Sequence, residues 1–530
     1  MATTARSTSL KSAKKPYDKA ALMTLNRGQM FLALFASGAL MPLALAPFSI
    51  WPIAALSIAA LFWALEDQTR KQAFIKASIF GFGLFFAGVS WVYVSIHDHG
   101  YIAAPLAFFG TTLFCLFLAL IFALPFILSA LIPRTPSAFI LGLPAIWVLS
   151  EWLRGWIFTG FPWLYAGYSH TDTWLNGWAP VGGVLLLSYV TALAGAVIAQ
   201  LMLGRRSERS TVAAASLVIV LTVGGYGMQK IDWTVPTGNE LSVVLIQPNI
   251  QQEDRWSLVE QDSILDKLAQ QTKPHWGADI IIWPEGAIPA LPRQIMDYLL
   301  EIDAQAKVNQ TALLTGIPTQ DAQNRRYYNS MLALGDSRGQ YDKTRLVPFG
   351  EYVPLENVFR GVNQFFDLPM SSFSLGASEQ PLLSAKGESI ATAICYEIAY
   401  PNLVANTAAN ATMILTVSND AWFGRSIAPQ QHMQMARMRA IENAKPLMRG
   451  TNNGVTALVD HQGRIYQQLE QFTVGELSGT IAPRAGKTIF TQLGSWPTVI
   501  VCLIICFGLV IMPSALMRRR GFKSKTAAGA

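Results

Sequence analysis

The chain has 530 residues, 52% of them hydrophobic and only 14% charged, and its mean hydropathy is +0.32. This balance excludes an ordinary soluble multidomain enzyme and marks an integral membrane protein. The net charge of +7 does not indicate nucleic acid as a partner. Lys and Arg gather in the two tails and in short loops between apolar segments, where they set membrane topology.

In chain order, apolar segments long enough for a bilayer, about 20 residues each, occur near 29–47, 50–66, 74–96, 103–132, 137–153, 180–203 and 211–228, with an eighth near 494–515. The first two are separated only by the corner from Pro47 to Pro52 and count as two spans. Positive charge lies at Arg6, Lys11, Lys14, Lys15, Lys19 and Arg27, at Arg70 and Lys71, at Arg134, at Arg205, Arg206 and Arg209, and again from Arg518 to Lys525. The alternate loops carry no Lys or Arg, so the positive-inside rule puts both termini in the cytoplasm. The chain thus divides into a basic tail (1–28), seven transmembrane helices (29–228), a polar block (229–493), an eighth helix (494–516) and a second basic tail (517–530). By parity the polar block lies on the far side, which in a bacterium is the periplasm. The first apolar run lacks a small-x-small cleavage site and leads straight into further spans, so it reads as an anchor and not as a signal peptide.

Within the polar block, short β-branched runs alternate with helical patterns: LSVVLIQPN, a helix over 256–271, ADIIIWPE, a helix over 293–309, ALLTGIP, YYNSMLALG, SIATAICYE, ATMILTVSND, a helix over 430–443 and GVTALVD. That order predicts a layered α/β domain. Reactive side chains in such domains project at strand ends, and three candidates sit there. Glu285 follows Pro284, which stops the strand just before the carboxylate. Lys343 lies in YDKTRLVPFGEYVP, which also carries Glu351, and Cys395 is followed at once by Tyr396 and Glu397.

The other three cysteines, Cys115, Cys502 and Cys506, lie in apolar stretches, so Cys395 has no disulfide partner. A free thiol of pKa about 8.5 is only a few per cent thiolate at neutral pH and needs a carboxylate base or a nearby cation to act as a nucleophile. Glu285 suits the base. Lys343, with backbone N–H groups after Cys395, suits stabilisation of the negative charge that acyl transfer builds on a carbonyl oxygen. Burial raises the pKa of such a carboxylate, while the lysine pulls it down.

The order Glu, Lys, Cys in WPEGAIP, YDKTRLVPFGEYVP and ICYE resembles the nitrilase (carbon–nitrogen hydrolase) superfamily. VPFGEYVP, FFDLPMSSFSLG, ICYEI, SNDAWFG, QHMQMARMRAIE and RGTNNGVTA are more closely similar to the apolipoprotein N-acyltransferase family, over nearly the whole chain. The resemblance implies an α-helical membrane bundle of eight transmembrane helices plus an α/β nitrilase-like α-β-β-α sandwich. It implies a ping-pong acyl transfer in the outer leaflet of a bacterial inner membrane. A phospholipid, preferentially phosphatidylethanolamine, gives its sn-1 acyl chain to the cysteine as a thioester. The free α-amino group of the S-diacylglyceryl cysteine of an apolipoprotein then takes it. Carried over by motif, Glu285 is the general base, Lys343 the oxyanion stabiliser and Cys395 the nucleophile. Glu351, Tyr396 and Glu397 support them, and Trp256 lies on a loop near the site. A thioester keeps its acyl-transfer potential, so no cofactor and no metal is expected. His97 and His99 lack further ligands at fitting spacing.

Two rival readings remain at this level: a membrane-tethered amidase using the same three residues, and a transporter or scaffold whose polar block binds a partner. Smaller expectations concern the membrane half. Trp156, Trp163, Trp174, Trp178, Phe158, Phe161, Tyr165 and Tyr168, between the fifth and sixth spans, read as interfacial anchors. Glu151 and Arg154, three apart on one helical face, read as an ion pair. The segment 358–373, with Phe359, Phe365, Phe366, Leu368, Met370 and Phe373, has the composition of a lid that keeps water from a thioester. Joint replacement Phe365→Ala and Phe366→Ala is expected to lower lysophospholipid release several-fold in folded protein; unchanged donor use removes the lid.

Overall fold

The computed structural model describes residues 25–510, except 207, 258, 322, 324, 325, 349 and 353–372. Both basic tails beyond these bounds, and the expected lid apart from Phe373, lie outside the described residues.

The apolar segments fold as helices: α1 (Arg27–Leu40), α2 (Pro52–Ala64), α3 (Arg70–Val89), α4 (Ala104–Ala123), α5 (Pro136–Arg154), α6 (Ala179–Met202) and α7 (Arg209–Met228). Asn26 with Gln29, and Thr69 with Gln72, form capping boxes that start α1 and α3. Five stretches are long and apolar enough to cross a membrane: Arg70–Val89, Ala104–Leu131, Pro136–Arg154, Trp174–Met202 and Arg209–Met228. Pro52–Ala64 and the final Trp496–Val510 are apolar but shorter, and α1 has 14 residues. Against the eight spans expected from the sequence, the described residues thus contain five helices of spanning length. Pro42 turns the chain into a 3-10 segment after Leu40, and Pro52 restarts it. Helices α1 and α3 meet backbone to backbone. A Cβ on Gly38 would sit 2.0 Å from the Phe80 carbonyl oxygen, and one on Gly83 2.1 Å from that of Phe35. Such small residues allow close packing where lipid supplies no hydrophobic drive.

Among the described residues the polar block forms two main sheets and a short two-stranded one, Val235–Pro236 with Arg484–Ala485. The first contains β1 (Leu241–Gln247), β2 (Ile280–Ile282), β3 (Ala312–Gln320), β4 (Tyr327–Gly335) and β5 (Gln340–Asp342). The second contains β6 (Leu383–Ala385), β7 (Glu388–Ile394), β8 (Met413–Ser418), β9 (Leu447–Thr451), β10 (Ala457–Val459) and β11 (Ile465–Gln468), and β12 (Gly475–Ile481) returns to pair with β1 in the first. Strands β1, β2 and β3 run parallel, as do β7, β8 and β9. Leu245, Ile282, Leu314 and Met331 of one sheet meet Ile390, Ile394, Leu415 and Met448 of the other in a shared core. Helices α8 (Gln261–Thr272) and α9 (Met296–Val308) cover the first sheet. Helices α10 (Pro401–Ala408) and α11 (Ala428–Asn443) cover the second. The result is an α-β-β-α sandwich. Helix α8 begins at Gln261, five residues after the expected start, because the preceding residues form turns.

Helix α11 joins the two halves, and all of it except Gln430 and Arg437 is buried. Met433, Ala436 and Ala440 pack on the second sheet, while Met435, Met438 and Ile441 enter the core of the membrane half. Gln431 Oε1 accepts from the indole N–H groups of Trp91 (3.2 Å) and Trp163 (2.7 Å), and its Nε2 donates to the Gly88 carbonyl. Gln434 accepts from the Ala46 amide. Glu442 accepts from the Val184 amide at 2.8 Å, beside Gly183, where α6 departs from helical geometry with φ 66°.

Two expectations are corrected here. The aromatic loop is not a uniform interfacial girdle: Trp156, Phe158 and Trp174 are exposed, but Trp163, Tyr165 and Tyr168 are buried because they form the joint with α11. Glu151 and Arg154 are both buried and attract each other, but their hydrogen bonds go to other partners. Glu151 accepts from Trp147 and from the Ala166 amide. Arg154 donates to the Phe161 and Trp163 carbonyls. Gln431→Leu would leave the buried indole N–H of Trp163 unpaired, while that of Trp91 keeps the Gly88 carbonyl, and is expected to cost about 1–3 kcal/mol. A lowered Tm in detergent checks this, and an unchanged Tm refutes it.

Candidate active site

Three loops bring the expected residues together. Strand β2 ends at Ile282 and Pro284 turns the chain, so Glu285 points between the sheets. Gly316 of β3 passes so close to this turn that a Cβ there would lie 2.3 Å from the Pro284 carbonyl oxygen and 2.4 Å from the Gly286 amide. Lys343 follows β5. Cys395 follows β7 at a sharp strand-to-turn junction with φ 53°, a left-handed conformation that costs a non-glycine residue about 1–3 kcal/mol.

Lys343 Nζ donates to Glu285 Oε1 (3.2 Å) and Glu351 Oε1 (2.9 Å). Asn329 Nδ2 bridges the same two oxygens at 2.8 and 2.9 Å, and the Asn419 amide donates to Glu285 Oε2 at 2.8 Å. Arg255 donates to the Glu285 carbonyl. Glu351 Oε2 accepts from the Val347 amide, which fixes the loop after Lys343. Glu285 and Lys343 are buried, and Cys395 is partly so. Glu397 ties the lysine loop to the nucleophile's turn. One of its oxygens accepts from the Thr344 amide and hydroxyl and the Arg345 amide, the other from the Ile394 amide, and the Tyr341 hydroxyl reaches both.

These contacts set the charge states. Burial alone would raise the Glu285 carboxyl, but Lys343 first and Arg255 second outweigh it and hold it below the usual carboxylate range. Burial would lower Lys343, but Glu285 and Glu351 hold its ammonium well above its ordinary value. The Cys395 thiol is pushed up, by burial first and by the Glu285 charge second, with Lys343 offsetting only part. The resting site is therefore a carboxylate, an ammonium and a neutral thiol. A neutral thiol attacks well only if its proton passes to a base, and Glu285 is the carboxylate whose charge acts on it.

The sequence-derived set is thus gathered with two qualifications. Tyr396 faces away from Glu285 and Lys343: its hydroxyl donates to the Gly160 carbonyl of the membrane half at 2.8 Å. Trp256 lies at the margin, under the guanidinium of Arg255. Sequence reasoning missed Asn329, Asn419 and Arg255. Asn419 carried a signal as part of SNDAWFG and Arg255 as a charge beside Trp256, whereas Asn329 carried none beyond its strand.

The membrane half matches the family model for the apolipoprotein N-acyltransferase N-terminal domain over residues 37–197. The sandwich matches the carbon–nitrogen hydrolase model over residues 242–489. An apolipoprotein N-acyltransferase of Azotobacter vinelandii is 43% identical, over 92% of this chain and 95% of its own. The chain belongs to the apolipoprotein N-acyltransferase family. A Pseudomonas putida member is 44% identical, over 89% of this chain and 95% of its own. Among solved structures, a CN-hydrolase superfamily protein of Xanthomonas campestris is similar over 50% of this chain and 97% of its own, at 18% identity and a TM-score of 0.35, a likeness too slight to add to the assignment. Membership in the apolipoprotein N-acyltransferase family makes the chain an acyltransferase with a nitrilase-like domain.

Because the thiol is raised, iodoacetamide labelling of Cys395, followed by peptide mass, is expected to keep accelerating above the pH, about 8.5, where a free cysteine is half ionised. Glu285→Gln removes the charge that adds to burial and should move that inflection down. An inflection near 8.5 in the wild type refutes this account.

Proposed function

We propose that the enzyme takes the sn-1 acyl chain of a membrane phospholipid, phosphatidylethanolamine by preference, onto Cys395 as a thioester and passes it to the α-amino group of the S-diacylglyceryl cysteine of an apolipoprotein. The observation that carries this reading is the buried Glu285–Lys343–Glu351 cluster whose charges act on Cys395. As sulfur attacks the ester carbonyl, its proton passes to Glu285. Lys343 spends two of its three N–H groups on carboxylates and has the third for the oxyanion. Collapse breaks the ester C–O bond, and the lysophospholipid oxygen leaves with the proton from Glu285. In the second half the amine attacks the thioester, Glu285 takes the amine's proton, and the departing sulfur recovers it. Neither half consumes ATP, because the thioester conserves the ester's acyl-transfer potential.

The division into tails, seven helices, a 229–493 catalytic domain and a last helix belongs to the same proposal. So do eight membrane spans, an inner-membrane location, a periplasmic catalytic domain and cytoplasmic termini. The turn after Cys395 bonds to the loop that follows α5, a contact that supports a nucleophile held close to the bilayer surface.

Purified protein incubated with phosphatidylethanolamine is expected to gain a hydroxylamine-labile acyl mass that a diacylated lipopeptide with a free α-amine discharges. Cys395→Ala should gain none, and Lys343→Ala should acylate about 10²–10³-fold more slowly. Discharge to water alone would replace this reading with an amidase or lipase, and no adduct would remove the thioester.

A further inference from the structure

Behind the nucleophile lies a buried polar network that the acyl-transfer scheme does not use. His432, on α11, is fully buried, as are Asp420 and Arg449. His432 Nε2 is 3.0 Å from the Cys395 carbonyl oxygen, and Arg449 Nη2 is 3.0 Å from Nδ1. A carbonyl only accepts, so Nε2 carries hydrogen; a guanidinium only donates, so Nδ1 offers its lone pair. The imidazole is therefore neutral and in one tautomer. Asp420 Oδ1 lies 3.3 Å from Nδ1, but this carboxylate is already engaged by Arg449 at 2.9 Å and by the Ser418 hydroxyl at 2.6 Å. Burial first and Arg449 second hold the imidazole below its ordinary pKa, against the opposing pull of Asp420. Trp163 of the membrane half and Phe423 pack against the ring at centroid distances of 5.6 and 6.3 Å, so it cannot swing away.

The backbone is thus held at the amide of the residue before Cys395 and at the Cys395 carbonyl itself. Glu397 accepts from the Ile394 amide at 2.8 Å, and His432 meets the Cys395 carbonyl. Between them Cys395 holds its left-handed φ of 53°. We infer that His432 is a positioning residue for acyl transfer: its imidazole, held by Arg449, donates one hydrogen bond to the Cys395 carbonyl and so fixes the strained turn that aims the thiol. Without that bond the turn relaxes toward commoner backbone angles, and sulfur leaves its line to the ester carbon. The inference rests on the thioester reading above.

Three substitutions test it. His432→Gln can still donate to the Cys395 carbonyl, His432→Asn is a methylene too short, and His432→Leu has no donor. Thioester formation by intact mass at saturating phosphatidylethanolamine is expected within about tenfold of wild type for Gln and at least about 100-fold slower for Asn and Leu, with the donor KM changed less than about twofold. If Leu fails to fold, the Gln and Asn pair decides. Iodoacetamide labelling of Cys395, which needs no donor, should follow the same order; it tests the turn even if wild type forms no thioester, an outcome that would sink the thioester reading instead. Equal rates in Gln and Asn, wild-type rates in a folded Asn or Leu variant, or a loss confined to KM would each overturn the inference.

Discussion

Helix 428–443 is the constraint on which the rest depends, because its two faces belong to two different solvents' worth of protein. A helix beside a single core can leave one side polar and wet. This one is covered on one side by a sheet of the sandwich and on the other by apolar helices, so every polar group on it needs a protein partner. Gln431, His432, Gln434 and Glu442 find theirs on one side or the other, and Arg439 is shared between Glu442 of the same helix and the Tyr168 hydroxyl. The relative placement of the halves is therefore fixed by hydrogen bonds with direction, and apolar burial alone would leave it free to slide. The nucleophile's turn inherits that precision.

The electrostatics of the site follow from the same burial. Two carboxylates and one ammonium in a dry cleft stabilise one another only while the set is complete, and Asn329 and the Asn419 amide hold the carboxylates in a single arrangement. The thiol beside them gains nothing from this in the resting state, since burial first and the Glu285 charge second favour its protonated form. In the proposed reaction, reactivity is then conditional on an ester carbon arriving to accept the electrons as the proton leaves. A thiol of this kind resists stray oxidation, which attacks the thiolate.

Much of this was legible in the chain. Glu285, Lys343 and Cys395 stand where strand periodicity breaks, and the break locates them without any knowledge of the partner strands. The parallel strands read as apolar runs for the same reason. What was hidden depends on contacts distant in sequence. Asn329 reads as one polar position of an alternating strand, and alternation tells which face it shares but not what waits there. Arg449 sits in the middle of a wholly buried strand to which the sequence reading assigns no element, because its charge is matched only by Asp420 and His432, distant in sequence. The aromatic loop after α5 misled in a different way. Tryptophan and tyrosine serve a membrane surface and a domain joint equally well, and composition cannot separate Trp156, which is exposed, from Trp163, which is buried.

The hydroxyls of Tyr396 and Tyr400, which donate to the carbonyls of Gly160 and Thr159, have a practical consequence for anyone wishing to cut the molecule. Residues 229–493 look like a self-sufficient sandwich, yet excising them would strip these tyrosines, Gln431 and the methionines of helix 428–443 of their covering at once. The fragment would expose a sticky apolar face beside its own reaction centre and invite aggregation. A water-soluble version would have to begin by redesigning that helix face, and an inhibitor screen run on the sandwich alone would be run on a distorted target.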